Sequence, residues 1–405
     1  MRLEVVETRR QEKTFLKVPR ILYRNDPNWV CPPDPVIEGI FDPEKNRYFD
    51  NGEARRWVLF DDKGEAIGRV AAFYDQERAH RYDPPVGGMG FFECIDNQQA
   101  ADLLFDACRQ WLEEKGMGAM DGPVNFGEND MFWGLLVEGF TPPAFGMNYN
   151  PPYYRKLFEN YGFKSFFEQD SRHLDLRKPF PERFWKIARW VISKPGYRFE
   201  HLKMKDVERF ARDVVTIHNK AWVYHEHYTP LTLEKVFKSL RESKDVLEED
   251  LIWFAYHSDQ PIAFLVMIPD MNRIFRLFNG KLNLVNKLRF LMLKRSKQVD
   301  RARVTIMGVV PEFQGKGIES ALFWQLREPL LSRRPHYREL EISWVGDFNP
   351  KMKAVLEAIG AGPGKIHITY RKLFSEKIPF RRAAKVTEIK EREAKANHSG
   401  QDNEN

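Results

Sequence analysis

The residues best placed to do chemistry cluster at positions 304–326, VTIMGVVPEFQGKGIESALFWQL. Val304, Ile306, Val309 and Val310 favour a strand, and Pro311, which lacks a backbone donor, ends its ladder. Gln314, Gly315, Lys316 and Gly317 follow, and then Leu322, Phe323 and Leu326 fall on one helical face. A strand, a glycine-bearing turn and a helix in that order make an anion site. The first helical N–H groups lack partners, and the glycines let a phosphate approach the backbone. The same joint also serves purely structural ends, so its meaning depends on what surrounds it. For proton transfer the chain offers Glu341, in an alternating stretch at 339–344. It also offers the run Tyr224-His225-Glu226-His227-Tyr228, whose imidazoles have an unperturbed pKa of about 6.5.

The elements that must position the turn lie downstream. Residues 339–344 alternate as a strand, Asn349 and Pro350 open a short helix ending at Gly360-Ala361, and residues 366–373 alternate again. A strand, a Q/R-x-x-G-x-G/A turn with its helix, a strand, a helix running from Asn to Gly-Ala, and a closing strand with Tyr370 resemble the GNAT acyltransferase superfamily. The resemblance implies acyl-CoA as co-substrate and no metal. It assigns Met307, Val309 and Val310, on a bulged fourth strand, to the pantetheine arm. Gln314, Gly315, Lys316, Gly317 and Ile318 fall at the pyrophosphate, and Asn349 at the pantetheine amides. Glu319 departs from the pattern, which has Gly or Ala there. Leu356, and Phe158 in the first half, stand where the family often has a tyrosine acid.

Acyl transfer from a thioester to an amine needs a proton acceptor, a stabilised oxyanion and a departing thiolate, with no covalent nucleophile. Glu341 and His225 are the candidate bases, and Asn219, Trp222, His227 and Tyr370 the candidate acceptor-binding residues. A bulky residue at Gly317 is expected to block the diphosphate and leave the fold intact.

The 405 residues suit two domains, and 42% hydrophobic and 14% aromatic content is globular. Cys31, Cys94 and Cys108 are too widely spaced for a disulfide framework or a zinc site. The N-terminus has no apolar signal core, and no run of about 18 apolar residues occurs, so a cytoplasmic location is expected. The net charge of +6 favours acidic partners, of which CoA, anionic lipid and nucleic acid all qualify; no nucleic-acid-binding signature is present.

The element order of the first half recurs after Pro195, which predicts an α/β protein of mixed sheets with tandem GNAT-like domains. Residues 1–55 read as an extended lead-in, 56–190 as the N-terminal domain, 196–375 as the C-terminal domain with the acyl-CoA site, and 376–405 as a disordered tail. The first half carries Ile95-Asp96-Asn97-Gln98-Gln99 where the second has its glycine turn, so it is degenerate. Gly68-Arg69-Val70-Ala71-Ala72, Gly122-Pro123-Val124-Asn125-Phe126, Asn150-Pro151-Pro152-Tyr153-Tyr154 and Asn219-Lys220-Ala221-Trp222 resemble a group of bacterial double-GNAT acyl-CoA N-acyltransferases that includes the bacterial ceramide synthases.

Residues 271–303 lengthen the connection before the fourth strand of the second half. They interleave Arg and Lys with Ile, Leu and Phe, which predicts helices basic on one side and apolar on the other, suited to an anionic membrane surface or to a lid over an acyl chain. The expected function is acyl-CoA-dependent N-acyl transfer, with a long chain and a sphingoid-type base as one substrate pair and peripheral contact with the inner membrane face. The alternatives are short-chain N-acetylation of a small amine or peptide, and a non-catalytic acyl-CoA sensor.

Overall fold

The computed structural model describes residues 1–224, 229–244, 246–389 and 391. The first run of elements is β1 (Arg2–Val5), α1 (Arg9–Leu22), α2 (Asp34–Ile40), β2 (Gly52–Phe60), β3 (Ala66–Asp75), α3 (Gln76–Ala79), β4 (Val86–Cys94), α4 (Gln98–Glu114), β5 (Ala119–Gly122), β6 (Leu135–Glu138), α5 (Tyr154–Tyr161) and β7 (Lys164–Asp175). After α6 (Glu182–Ile192) come β8 (Tyr197–His201), α7 (Val207–Ala221), α8 (Leu233–Ser243), β9 (Ile252–His257) and β10 (Gln260–Pro269). The chain continues with α9 (Asn272–Phe275), α10 (Leu284–Arg295), β11 (Arg301–Val309), α11 (Ile318–Glu328), β12 (Glu339–Gly346), α12 (Pro350–Ala358) and β13 (Gly362–Leu373). The second run follows the order of the first, with α9 and α10 where the first has α3 and with no counterpart of β6.

The chain divides into two compact units that interleave along the sequence. Of the described residues, unit 1 holds those in 1–170, 271–296 and 365–383, and unit 2 those in 171–270, 297–364 and 384–391. Most of the insertion and most of β13, both read from the sequence as parts of the C-terminal domain, therefore group with unit 1. Helix α6, read as part of the N-terminal domain, groups with unit 2.

In unit 1, β1 to β4 form an antiparallel meander and β4 runs parallel to β5 over Val86–Gly88. The C-terminal strand β13 completes this sheet, Tyr370 opposite Gly122 and Arg371 opposite Asp121, with β6 pairing along Ile366–Ile368. Arg371 clasps Asp121 through Nε and Nη2 at 2.6 and 2.7 Å. Helix α4 lays Leu104, Phe105, Cys108, Trp111 and Leu112 on the sheet, each worth about 1.5–3 kcal/mol of burial if large and apolar. It approaches closely because Gly68 beneath it has no Cβ; one there would meet Leu104 Cδ1 at 2.9 Å.

Residues 1–55 are more regular than their Pro-rich sequence suggests. Thr8 and Gln11 form a capping box that starts α1, and Pro19 is tolerated in its last turn. The segment ends up filling the degenerate half. Tyr23 Oη donates to Glu93 Oε2 at 2.6 Å beside the β4 bulge, Arg69 Nη1 donates to Phe15 O, and the Arg69 guanidinium lies over the Phe15 ring. Tyr154 Oη also donates to Glu93, and burial pushes the Glu93 carboxyl up from its ordinary pKa against the opposing pull of Arg69. The bulged strand of the first half is thus packed with the chain's own side chains.

In unit 2, β8 to β11 are antiparallel and β11 runs parallel to β12. The β9–β10 hairpin turns on Ser258 and Asp259, both at positive φ, as a two-residue loop between twisted strands requires.

Candidate functional site

The chemistry-bearing residues of unit 2 gather where β11 and β12 part. Their parallel ladder joins Arg301–Val304 to Glu339–Ile342 and goes no further among the described residues. Residues 305–309 and 343–346 are left as two diverging arms. The bulge expected in this strand sits at Thr305, where the β10 register jumps from Ile306↔Val266 to Val304↔Met267. Thr305 Oγ1 fastens it by donating to Val266 O at 3.2 Å. Thr305, Ile306 and Met307 are half-buried, whereas the preceding residues of β11 are buried.

Glu341 lies at the apex of the divergence, one residue before the ladder ends, and is 1% exposed. Arg303 stands opposite it in register, Ser171 Oγ donates to its Oε1 at 3.3 Å, and the neighbouring Arg301 pairs with Asp270 at 2.6 Å. A carboxylate this deep is stable as an anion only with cations beside it. Sequence reading named Glu341 but missed Arg303, because residues 301–303 were assigned to the insertion. The alternation of Arg301 and Arg303 with Ala302 and Val304 was the available signal.

The turn after β11 has the conformation an anion site needs. Gly315 and Gly317 take φ of 73° and 83°, and Gly317 is the N-cap of α11, with Ile318 buried behind it. Gln314 Nε2 donates to Val309 O at 3.0 Å and so ties the turn to the strand. Lys316 extends over the Phe313 ring. Two groups expected at the pantetheine are engaged internally: Val309 O by Gln314, and the Val310 N–H by Ile262 O. Met307 remains on the diverging arm.

Glu319 is the misfit in this turn. It is 8% exposed in the first turn of α11, and burial raises its pKa, while the backbone N–H groups of Glu319 itself and of Gly315 pull it down. A carboxylate therefore shares the N–H groups that a diphosphate would use. The turn thus has the backbone conformation of an anion site with a buried carboxylate already at it. Gly317 is also walled in. A Cβ there would meet Ile187 Cγ2 at 2.6 Å and Val191 Cγ2 at 3.1 Å, so a bulky substitution would strain the packing of α6 on α11 and not simply block a ligand.

The remaining sequence candidates disperse. Asn349 caps α12, its Oδ1 accepting from Met352 N at 3.3 Å. Asn219 is bonded twice to Leu231, at 2.8 and 3.0 Å, which pins the ends of the loop after α7. Trp222 stacks on His218 and covers Gly308, where a Cβ would meet its ring at 2.5 Å. Tyr370 lies in the unit 1 core and donates to Glu159 at 2.9 Å. His225 and His227 lie outside the described residues. Among the described residues no group of three or more His, Cys, Asp or Glu could hold a metal ion.

A β-sheet parted between its fourth and fifth strands, with a glycine turn and helix after the fourth, and a similar order of elements in the first half without the glycine turn, defines a tandem GNAT-like protein. The fold comparison agrees. A tandem GNAT protein from the clavulanic acid biosynthesis pathway superposes with a TM-score of 0.56 at 13% identity, covering 94% of this chain and all of that one. The GCN5-related glucosamine N-acetyltransferase region of a fungal β-N-acetylglucosaminidase gives 0.54, covering 92% of this chain and 38% of that one. No protein-family model matches the chain. In sequence it belongs to the same family as Protein YghO of Escherichia coli K12, 30% identical over 371 residues that span 89% of this chain and 92% of the relative. It is also 28% identical to the bacterial ceramide synthase of Caulobacter vibrioides, over 91% of this chain and 96% of that protein.

Proposed function

We propose that the protein transfers an acyl group from an acyl-CoA thioester to a primary amine, with unit 2 as the catalytic half. The observation that carries this reading is Glu341, a buried carboxylate in register with Arg303 at the apex of the parted β11 and β12. The thioester would lie along the diverging arm of β11, past Met307, with its diphosphate toward Gly315–Lys316 once Glu319 gives way. Glu341 takes the proton lost by the attacking amine. The tetrahedral oxyanion collapses to the amide as the C–S bond breaks, and the thiolate leaves with the CoA. Unit 1, with Glu93 sealed by Tyr23 and Tyr154, is the structural half.

A long-chain amine is the acceptor class we infer, supported by the likeness to a bacterial ceramide synthase along nearly the whole of both chains. The acceptor loop would be the one that Asn219 ties to Leu231. A panel of amines of increasing chain length, scored for amide product by mass spectrometry, tests the assignment. Acylation of short soluble amines alone would replace it with N-acetylation of small molecules, and saturable acyl-CoA binding with no amide would replace it with a sensor.

A further inference from the structure

We infer that α10 is a docking helix for an anionic lipid bilayer. This goes beyond the transferase reading and does not depend on it. The helix has no buried residue, and Leu284, Val285, Leu288, Leu291 and Met292 are 46–74% exposed. Their spacing of i, i+1, i+4, i+7 and i+8 places all five on one face of the helix. The sequence expectation of one basic and one apolar side is corrected here. The outward face is apolar, Phe290 looks inward to stack on Phe275 at 5.5 Å, and the charges lie mostly along the flanks.

The face is held out on a firm base inside unit 1. Asn272 donates to Pro143 O at 3.0 Å, Ile274 and Phe278 are buried, and Arg20 Nε donates to Asn279 O. Apolar side chains displayed by a well-anchored helix need an apolar partner, since exposed patches of this kind mark interaction sites. Charge decides which partner. From residue 271 to 299 the chain carries Arg273, Arg276, Lys281, Lys287, Arg289, Lys294, Arg295 and Lys297 and no Asp or Glu. Of these, Lys281, Lys287, Arg289 and Arg295 are exposed on or beside α10. A protein groove would be matched by directed polar pairs, whereas an apolar stripe flanked only by cations fits acyl chains beneath anionic headgroups.

The experiment is sedimentation of the full-length protein with vesicles of phosphatidylcholine, with and without about one-third phosphatidylglycerol, at low and high salt. Binding should require the anionic lipid and weaken with salt. The charge variant Lys287→Glu/Arg289→Glu/Arg295→Glu should lower partitioning roughly a hundredfold or more. The variant Leu288→Ser/Met292→Ser should lower it at every salt concentration. All five positions are exposed, so unchanged melting temperatures are expected and confirm folding. Equal sedimentation with neutral and anionic vesicles, or binding that survives both variants, overturns the proposal. So does light scattering that shows a dimer abolished by Leu288→Ser/Met292→Ser with no lipid binding by the parent, since the face then joins two copies of the chain.

Discussion

On the parallel pair β11/β12, Arg303 stands in register with Glu341 one residue before the two strands part. A buried carboxylate with an arginine opposite it in register thus stands where the sheet opens. Replacing Glu341 by Gln keeps the shape and the bond from Ser171 but removes the proton acceptor, and should lower turnover by about a hundredfold with little change in acyl-CoA affinity. Glu341→Ala should also destabilise the fold, by roughly 3 kcal/mol or more, because Arg303 and Arg301 then lose a buried counter-charge. A melting curve separates the two effects: a Gln variant that melts like the parent and turns over at the parental rate places the base elsewhere.

Glu319 should act as an electrostatic brake on the donor site. Its carboxyl titrates above its ordinary pKa because it is buried, so the folded protein binds this proton more tightly than the unfolded chain. The stability tied to the neutral form is full below the unfolded pKa and is lost as pH rises through the raised one. Acyl-CoA affinity should follow the same direction, rising as pH falls through the raised value. Glu319→Gln should be tighter at neutral pH by about tenfold, equivalent to ~1.4 kcal/mol, and should lack this part of the pH dependence. Calorimetric titration of parent and variant with the same acyl-CoA cancels the ligand's own phosphate titration. Parallel pH profiles for the two proteins would show that the turn does not hold the diphosphate.

Much of this arrangement was legible in the sequence, and what was not has physical causes. The period-2 and period-3.6 patterns located β11, β12, β13, α11 and α12, and the order of elements revealed the duplication. The α1 helix was hidden by Pro19 and by the surrounding prolines, although its capping box at Thr8 and Gln11 was present to be read. The membership of β13 was not legible, because alternation in residues 366–373 says that a strand forms but not which sheet it joins. Long-range pairing decides that, and Arg371 with Asp121 is 250 positions apart. Buried Glu319 was visible only as a departure from a pattern, since burial is a property of the packed turn.

The placement of β13 predicts an effect at a distance in sequence. Arg371→Ala leaves half-buried Asp121 without its cation and should cost about 3 kcal/mol, and the loss should fall on unit 1 even though the residue follows β11 and β12 in sequence. Hydrogen exchange should show lost protection in β4, β5 and β13, with β9 to β11 changed little. Uniform protection loss across both units would mean that the two unfold as one.

Gly317 should prove sensitive to any side chain. Its φ of 83° and the approach of Ile187 and Val191 both oppose a Cβ, so Gly317→Ala is expected to cost about 1–2 kcal/mol. Gly317→Trp should unsettle the packing of α6 as well, which makes it a poor probe of ligand binding. Thermal unfolding checks this directly, and a Trp variant as stable as the parent would contradict the packing described.

The most direct test of the account is amine-dependent release of free thiol from a long-chain acyl-CoA, followed colorimetrically with the amide identified by mass spectrometry, for the parent and Glu341→Gln in parallel. The account predicts thiol release that requires the amine, one amide formed per thiol, and a rate about a hundredfold lower in the variant. Thiol release that is indifferent to amine, or tight acyl-CoA binding with no amide from any acceptor, would contradict it.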